Sequence, residues 1–206
     1  MRLGLVIFSL TLILGTISYL FWQNELKYTL PTPVPEGYHE VKPGEFISLS
    51  QVKNVSYNLE ELSKEDKPVF VHFFNPDCPC SKFNIPEFRT LAKQYKDKIK
   101  FVAVALTDEN YTVEDIQDDL NLNIPVFFDE QLAEMCGVYS TPQAVIIDKN
   151  HKLYYRGNYN RSRYCTDKNT NFALMAIDSV LNNTPNPVFS EAALKSYGCE
   201  IPTSDN

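Results

Sequence analysis

From Leu3 to Trp22 the chain is apolar or small at every position and carries no charge. A run of about 20 such residues is long enough to cross a bilayer as a helix. It shows no polar face, so a soluble core helix is the weaker reading. Arg2 precedes it and Gln23, Asn24 and Glu25 follow, which by the positive-inside rule predicts a cytoplasmic N-terminus (residues 1–2) and an extracytoplasmic remainder. A cleaved signal peptide is the rival. Its cleavage site would need small residues, and Tyr19-Leu20-Phe21-Trp22 supplies none. Residues 3–22 are therefore expected to remain as a signal anchor, with Tyr19 and Trp22 at the membrane interface.

Residues 23–45 form an expected linker. Pro31, Pro33, Pro35 and Pro43 oppose regular helix, and Gly37 and Gly44 suit turns. A proline-rich spacer is semi-rigid and would hold the next domain off the membrane. Apolar and amphipathic segments then alternate. Strands are expected at Pro68–Asn75, Ile99–Leu106, Val126–Phe128, Ala144–Asp148 and Leu153–Arg156, the last two joined as a hairpin through Lys149-Asn150-His151. Helices are expected at Ser81–Tyr95 (Phe83, Phe88 and Leu91 on one side), Val113–Leu120, Gln131–Cys136 and Phe172–Leu181. Such alternation predicts an α/β domain over residues 46–185, with a largely parallel sheet covered on both faces and antiparallel strands at one side. Residues 186–206 form a polar tail.

Composition narrows the function. The 206 residues carry a net charge of −7, which argues against a nucleic-acid partner. The acidic stretch around Glu114-Asp115 and Asp118-Asp119 reads as a solvated helix face. Five cysteines, at 78, 80, 136, 165 and 199, leave at least one outside any intramolecular pairing. Cys78 falls between the first strand and its helix. A cysteine at a helix N-terminus meets unpaired N–H groups and the positive end of the dipole, both of which favour the thiolate nucleophile. Lys82 would add to this effect and Asp77 would oppose it. Thr141-Pro142 is a candidate cis bond, since an X-Pro bond pays only about 0.5–1 kcal/mol for the cis form.

Two stretches, FFNPDCPCSKFNIPEF (73–88) and GVYSTPQAVIID (137–148) followed by KNHKLYYRG, resemble the thioredoxin superfamily over roughly residues 46–181. The segment around Asp129–Cys136 is more similar to the peroxiredoxin-like and membrane-tethered redoxin branches. The resemblance implies a thioredoxin-like fold, with a central mixed sheet flanked by helices. It also implies a cis proline at Pro142 beside the reactive cysteine, with Thr141 and Pro142 presenting a substrate strand.

The motif departs from C-x-x-C. Aligning Pro86 with the family's helix proline puts Cys78 at the first cysteine position and Ser81 at the second, with Cys80 added between them. Residues i and i+2 point roughly 200° apart on a helix, so Cys78 and Cys80 can bridge only in a turn, and otherwise Cys78 needs a distant partner. The segment from Asn186 to Ile201 is similar to the Pro-Val…Gly-Cys-x-Ile tail of some peroxiredoxin-like redoxins, which makes Cys199 a resolving candidate. A structural Cys165–Cys199 bond competes with it. Cys165 lies among Arg161 and Arg163, a setting expected to favour its thiolate, and Cys136 reads as a buried core thiol.

The expected function is a membrane-anchored extracytoplasmic thiol–disulfide oxidoreductase. Cys78 and Cys80 are its catalytic pair, Ser81 and Lys82 stabilise the thiolate, and Cys199 or Cys165 resolves or staples. The redox cysteines need no organic cofactor. The implied partners are exported cysteine-containing proteins and a membrane electron donor or acceptor. Three alternatives stand beside it. A non-catalytic binding module would hold the cysteines as a structural bond. A thiol peroxidase is disfavoured because Asn75 stands where peroxiredoxins carry Thr or Ser. A Cu(I) carrier needs two thiols and a histidine, and His39, His72 and His151 do not cluster with the cysteines in sequence.

Overall fold

The computed structural model describes residues 2–48, 66–121, 123–185 and 188–202. Helix α1 (Arg2–Asn24) contains an 18-residue stretch of mean hydropathy 2.1 and buries none of its residues, so it is long and apolar enough to cross a membrane. A short 3₁₀ turn follows at Leu26–Thr29. The domain then runs β1 (Val69–Phe74), α2 (Pro79–Tyr95), β2 (Lys100–Ala105), α3 (Val113–Leu120), β3 (Val126–Phe127) and α4 (Glu130–Met135). It continues with β4 (Ser140–Thr141), β5 (Gln143–Ile147), β6 (Leu153–Gly157), α5 (Phe172–Leu181), α6 (Glu191–Leu194) and β7 (Cys199–Glu200).

The main sheet has the order β3-β2-β1-β5-β6. β3, β2 and β1 are parallel, and β5 and β6 add antiparallel to one side. The alternating side chains of each strand sort into two cores. Phe70 and Phe74, Phe101, Ala103 and Ala105, and Ala144 and Ile146 face α2 and α5 through Phe88, Leu91, Phe172 and Ile177. Val69, Val71 and Phe73, Val102 and Val104, and Val145 and Ile147 face α4 through Leu132 and Ala133. This is the period-two geometry of a sheet covered on both sides. Local caps set the helix starts: Thr112 and Asp115 form a reciprocal capping box on α3, while Asp129 and Asn171 cap α4 and α5.

Three details differ from the sequence-based expectation. Phe83 is 36% exposed and packs its ring on Tyr164 at 4.6 Å, instead of sharing the buried side of α2 with Phe88 and Leu91. Five residues turn a helix by roughly 140°, which separates the two faces. Secondly, the proline-rich linker lies along the domain. Val41 enters the second core, Arg156 donates to its carbonyl (3.0 Å), and Tyr38 donates to the Gly137 carbonyl (2.8 Å). Thirdly, α2 begins at Pro79, two residues before the expected Ser81, because proline fits the first helical position.

His72, mid-strand in β1, is wholly buried between the rings of Phe74 and Phe88, and its Nδ1 pairs with the Tyr159 hydroxyl at 2.7 Å. It is a core histidine, and burial lowers its pKa to about 3. Its folded pKa lies below its unfolded one, so the unfolded chain binds the extra proton as pH falls. The domain should therefore lose stability between about pH 6.5 and pH 3, by at most about 1.4 kcal/mol per pH unit from this group. Urea denaturation of His72→Leu should show lower stability at pH 7, since Tyr159 loses its partner, and a shallower decline between pH 6 and pH 4. An unchanged slope would contradict the assignment.

Candidate active site

The chain leaves β1 into Asn75-Pro76-Asp77-Cys78. Asn75 organises this turn: its side-chain oxygen accepts from the Asp77 N–H (2.8 Å) and its carbonyl from the Cys78 N–H (3.1 Å). Cys78 is then the N-cap of α2, with extended backbone, and Pro79 and Cys80 are the first helical residues. Pro86 lies inside the helix, where its missing N–H leaves the Lys82 carbonyl without its helical partner. Ser81 is fully buried and its hydroxyl accepts from the Asn75 N–H at 3.1 Å, locking the turn to the helix. Lys82 is exposed.

Across the site the Thr141–Pro142 bond is cis. The Thr141 carbonyl oxygen lies 4.0 Å from Cys78 Sγ. The sulfur of Cys78, itself only 4% exposed, is bonded to Cys199 across a Cα–Cα distance of 6.3 Å. The distant partner is thus Cys199. The expected competitor, a Cys165–Cys199 bond, is not formed. Cys80 stays outside the disulfide, buried, with its sulfur within 4.8 Å of both others.

The tail brings Cys199 here through a second small sheet: β7 pairs antiparallel with β4, Thr141 opposite Cys199 and Ser140 opposite Glu200. Several groups hold it. Asn158 donates from its side chain to the Ala192 (2.9 Å) and Lys195 (2.7 Å) carbonyls. Gln143 donates to the Ser196 hydroxyl. From the linker, Thr32 donates its N–H to the Ser196 carbonyl (2.9 Å) and its hydroxyl to that of Gly198 (3.3 Å). None of these three residues is visible as functional in the sequence, because each acts on a tail group far from it along the chain. Residues 186 and 187, where the tail was expected to begin, lie outside the described residues.

A cleft of about 470 Å³ opens beside the sulfurs, bordered by Cys80, Asn84, Pro142, Tyr159, Arg163 and Gly198. Arg163 ties this rim to the end of α1: its guanidinium pairs with Glu25 at 3.0 Å and donates to the Asn24 carbonyl at 2.9 Å. The basic setting expected to activate Cys165 does not do so. Its thiol donates to the Asn84 side-chain oxygen (3.1 Å), and burial with nearby Glu87 pushes its pKa up to about 12. Arg163 is engaged with Glu25 and Tyr164 instead. Cys136 is fully buried and burial likewise raises it to about 12, despite nearby Arg156.

Residues 49–201 match the family model described as a domain of unknown function, DUF6436. The chain belongs to that family. A curated relative, the thiol-disulfide oxidoreductase ResA of Halalkalibacterium halodurans, is 26% identical over 108 residues. That match covers 51% of this chain, which spans about 60% of the relative's length. Among solved structures, an uncharacterized conserved protein from Geobacillus kaustophilus is 26% identical with a TM-score of 0.62, covering 85% of this chain and all of that one. A hypothetical protein from Sinorhizobium meliloti is 20% identical with a TM-score of 0.64, over 79% and 95% of the two chains. A thioredoxin-family thiol:disulfide interchange protein from Chlorobium tepidum is 17% identical with a TM-score of 0.50, over 69% and 99%. This DUF6436 chain thus has a thioredoxin-like fold, a mixed sheet flanked by helices.

The tail contacts carry a prediction. Asn158→Ala removes two hydrogen bonds from carbonyls of the tail, each unmet carbonyl costing about 1–3 kcal/mol if it stays buried. The oxidised form should melt at a lower temperature. At a fixed glutathione ratio, differential alkylation should find a larger reduced fraction of Cys78 and Cys199 than in the unaltered protein. Identical melting and identical reduced fraction would mean the tail is not held by Asn158.

Proposed function

We infer that this protein is a membrane-anchored thiol–disulfide oxidoreductase whose oxidised form is the Cys78–Cys199 disulfide. One observation carries the reading: the bonded sulfur of Cys78 sits at the N-terminus of a 17-residue helix, facing a cis Thr141–Pro142 bond. When the bond opens, that helix end favours the Cys78 thiolate. The thiolate attacks a partner disulfide, forming a mixed disulfide and releasing the partner's other sulfur. Cys199 then attacks Cys78, restoring the internal bond and freeing the partner as a dithiol. An external dithiol reduces Cys78–Cys199 for the next cycle and leaves as its own disulfide. Run in reverse, the same exchange oxidises a partner.

The ResA similarity supports this chemistry. In the same reading α1 is a signal anchor, residues 23–45 connect it to the 46–185 domain, and the domain faces the periplasm or another extracytoplasmic space. Partners are exported cysteine-containing proteins and a membrane dithiol donor or acceptor. Ser81 acts by positioning the Cys78 turn. Lys82, exposed on the first turn, adds only long-range charge.

Cys78→Ser should abolish insulin-disulfide reduction with an unchanged fold by circular dichroism. Cys199→Ser should trap a mixed disulfide at Cys78, seen by mass spectrometry. If Cys199→Ser turns over normally and Cys80→Ser does not, the resolving thiol is Cys80. Retained activity in Cys78→Ser sinks the redox reading. The three sulfurs within 4.8 Å also favour a second reading, a trigonal thiolate site for Cu(I) in the reduced protein. Cu(I) competition with a chelator separates the two: tight binding lost in each of the three cysteine variants supports it.

A further inference from the structure

The tail lies on the edge where, in the oxidoreductase reading, a substrate strand would pair. Thr141 sits opposite Cys199, and the Cys199 sulfur is already bonded to the nucleophile. The tail therefore has the geometry of a mixed disulfide with a partner strand. It also shows what that edge demands. Gly198, directly before Cys199, has φ of +148°, and a Cβ placed there would overlap the carbonyl oxygen of Thr141. Only glycine meets both conditions. The tail nevertheless leaves polar groups unmet: the hydroxyls of Ser140 and Thr141 and the side-chain oxygen of Gln143 are buried without a hydrogen-bond partner.

We propose that residues 190–201 are an internal stand-in for the substrate, and that the edge they vacate on reduction takes an extended partner segment whose disulfide-bonded cysteine is directly preceded by glycine. This rests on the oxidoreductase reading and names its substrate class. The partner strand runs antiparallel to β4 and offers its cysteine to Cys78 in the place of Cys199. Cys78 sulfur bonds to the partner's sulfur, and the second partner sulfur leaves as a thiol. The tail and the bound strand compete for one edge. When Cys199 attacks Cys78, the returning tail therefore re-forms the internal disulfide and expels the reduced partner in one event.

The test uses the full chain in detergent, carrying Cys80→Ser and Cys199→Ser and fully reduced. Two synthetic peptides are supplied, residues 194–201 and the same segment with Gly198→Val, each with its cysteine activated by thionitrobenzoate. Release of thionitrobenzoate is followed, with mass mapping of the adduct to Cys78. The glycine peptide should react faster by about tenfold or more, the cost of forcing a branched side chain into a closed contact. A smaller ratio overturns the inference. The small symmetrical reagent, dithiobis(nitrobenzoate), separates the failures: reaction with it at Cys78 leaves the redox reading standing, and silence removes both. The wild-type chain gives an independent check. Amide exchange at Ser140–Thr141 and Cys199–Glu200 should be slow when oxidised and speed up on reduction, and unchanged exchange overturns the release of the tail.

Discussion

Cys78 is covalently fixed at a place where three unrelated constraints meet. Its backbone ends β1 and caps α2, its sulfur faces the Thr141 carbonyl, and that sulfur is bonded to Cys199. Remove the bond and nothing covalent holds residues 188–202 to the cis-proline edge. What remains is the packing of Ala193 and Phe189 against the first core and a set of hydrogen bonds, most of them from Asn158, Gln143 and Thr32 to tail backbone or side chain. Each such bond is worth about 0.5–1.5 kcal/mol net. The tail's docking is thus poised to depend on the oxidation state of one pair of sulfurs, and the linker that crosses it through Thr32 shares that dependence.

The scaffold beneath is built largely from segments other than the tail. The two cores are filled by alternating side chains of β1, β2 and β5, and the site-bearing turn hangs from the end of β1 by the hydrogen bonds of Asn75 and Ser81. Where C-x-x-C proteins would carry their second sulfur, this chain uses a hydroxyl to brace the turn. The second sulfur of the bond comes instead from a segment 121 residues away.

Most of the fold was legible because it follows local rules. Strand and helix periods, Pro79 beside the motif and the Thr141-Pro142 pair all express short-range constraints, and the observed elements differ from the expected ones by one or two residues at their ends. Cys78 and Cys199 could be named as candidates for the same reason. The pairing of Cys199 with Cys78 over Cys165 could not be read from spacing, because it depends on β7 finding β4. The basic neighbours of Cys165 misled, since charge in sequence says nothing of direction. The guanidinium of Arg163 turns to Glu25 at the end of α1, while the Cys165 thiol turns inward toward Asn84 and Glu87. Asn158, Thr32 and Gln143 were invisible for the same physical reason: their partners are tail atoms that only tertiary structure brings near.

The Cys78–Cys199 bond also makes a closed ring of nearly the whole domain, from α2 through β7. On the chain-entropy account, closing a ring of this size restricts the unfolded chain by about 4–5 kcal/mol. It also changes what a protease can accomplish. A cut in the exposed loop at Asp108–Asn110 leaves both pieces on one covalent molecule as long as the ring is oxidised. Only a cut followed by reduction separates them, so the oxidised protein tolerates surface nicking that would dismember the reduced one.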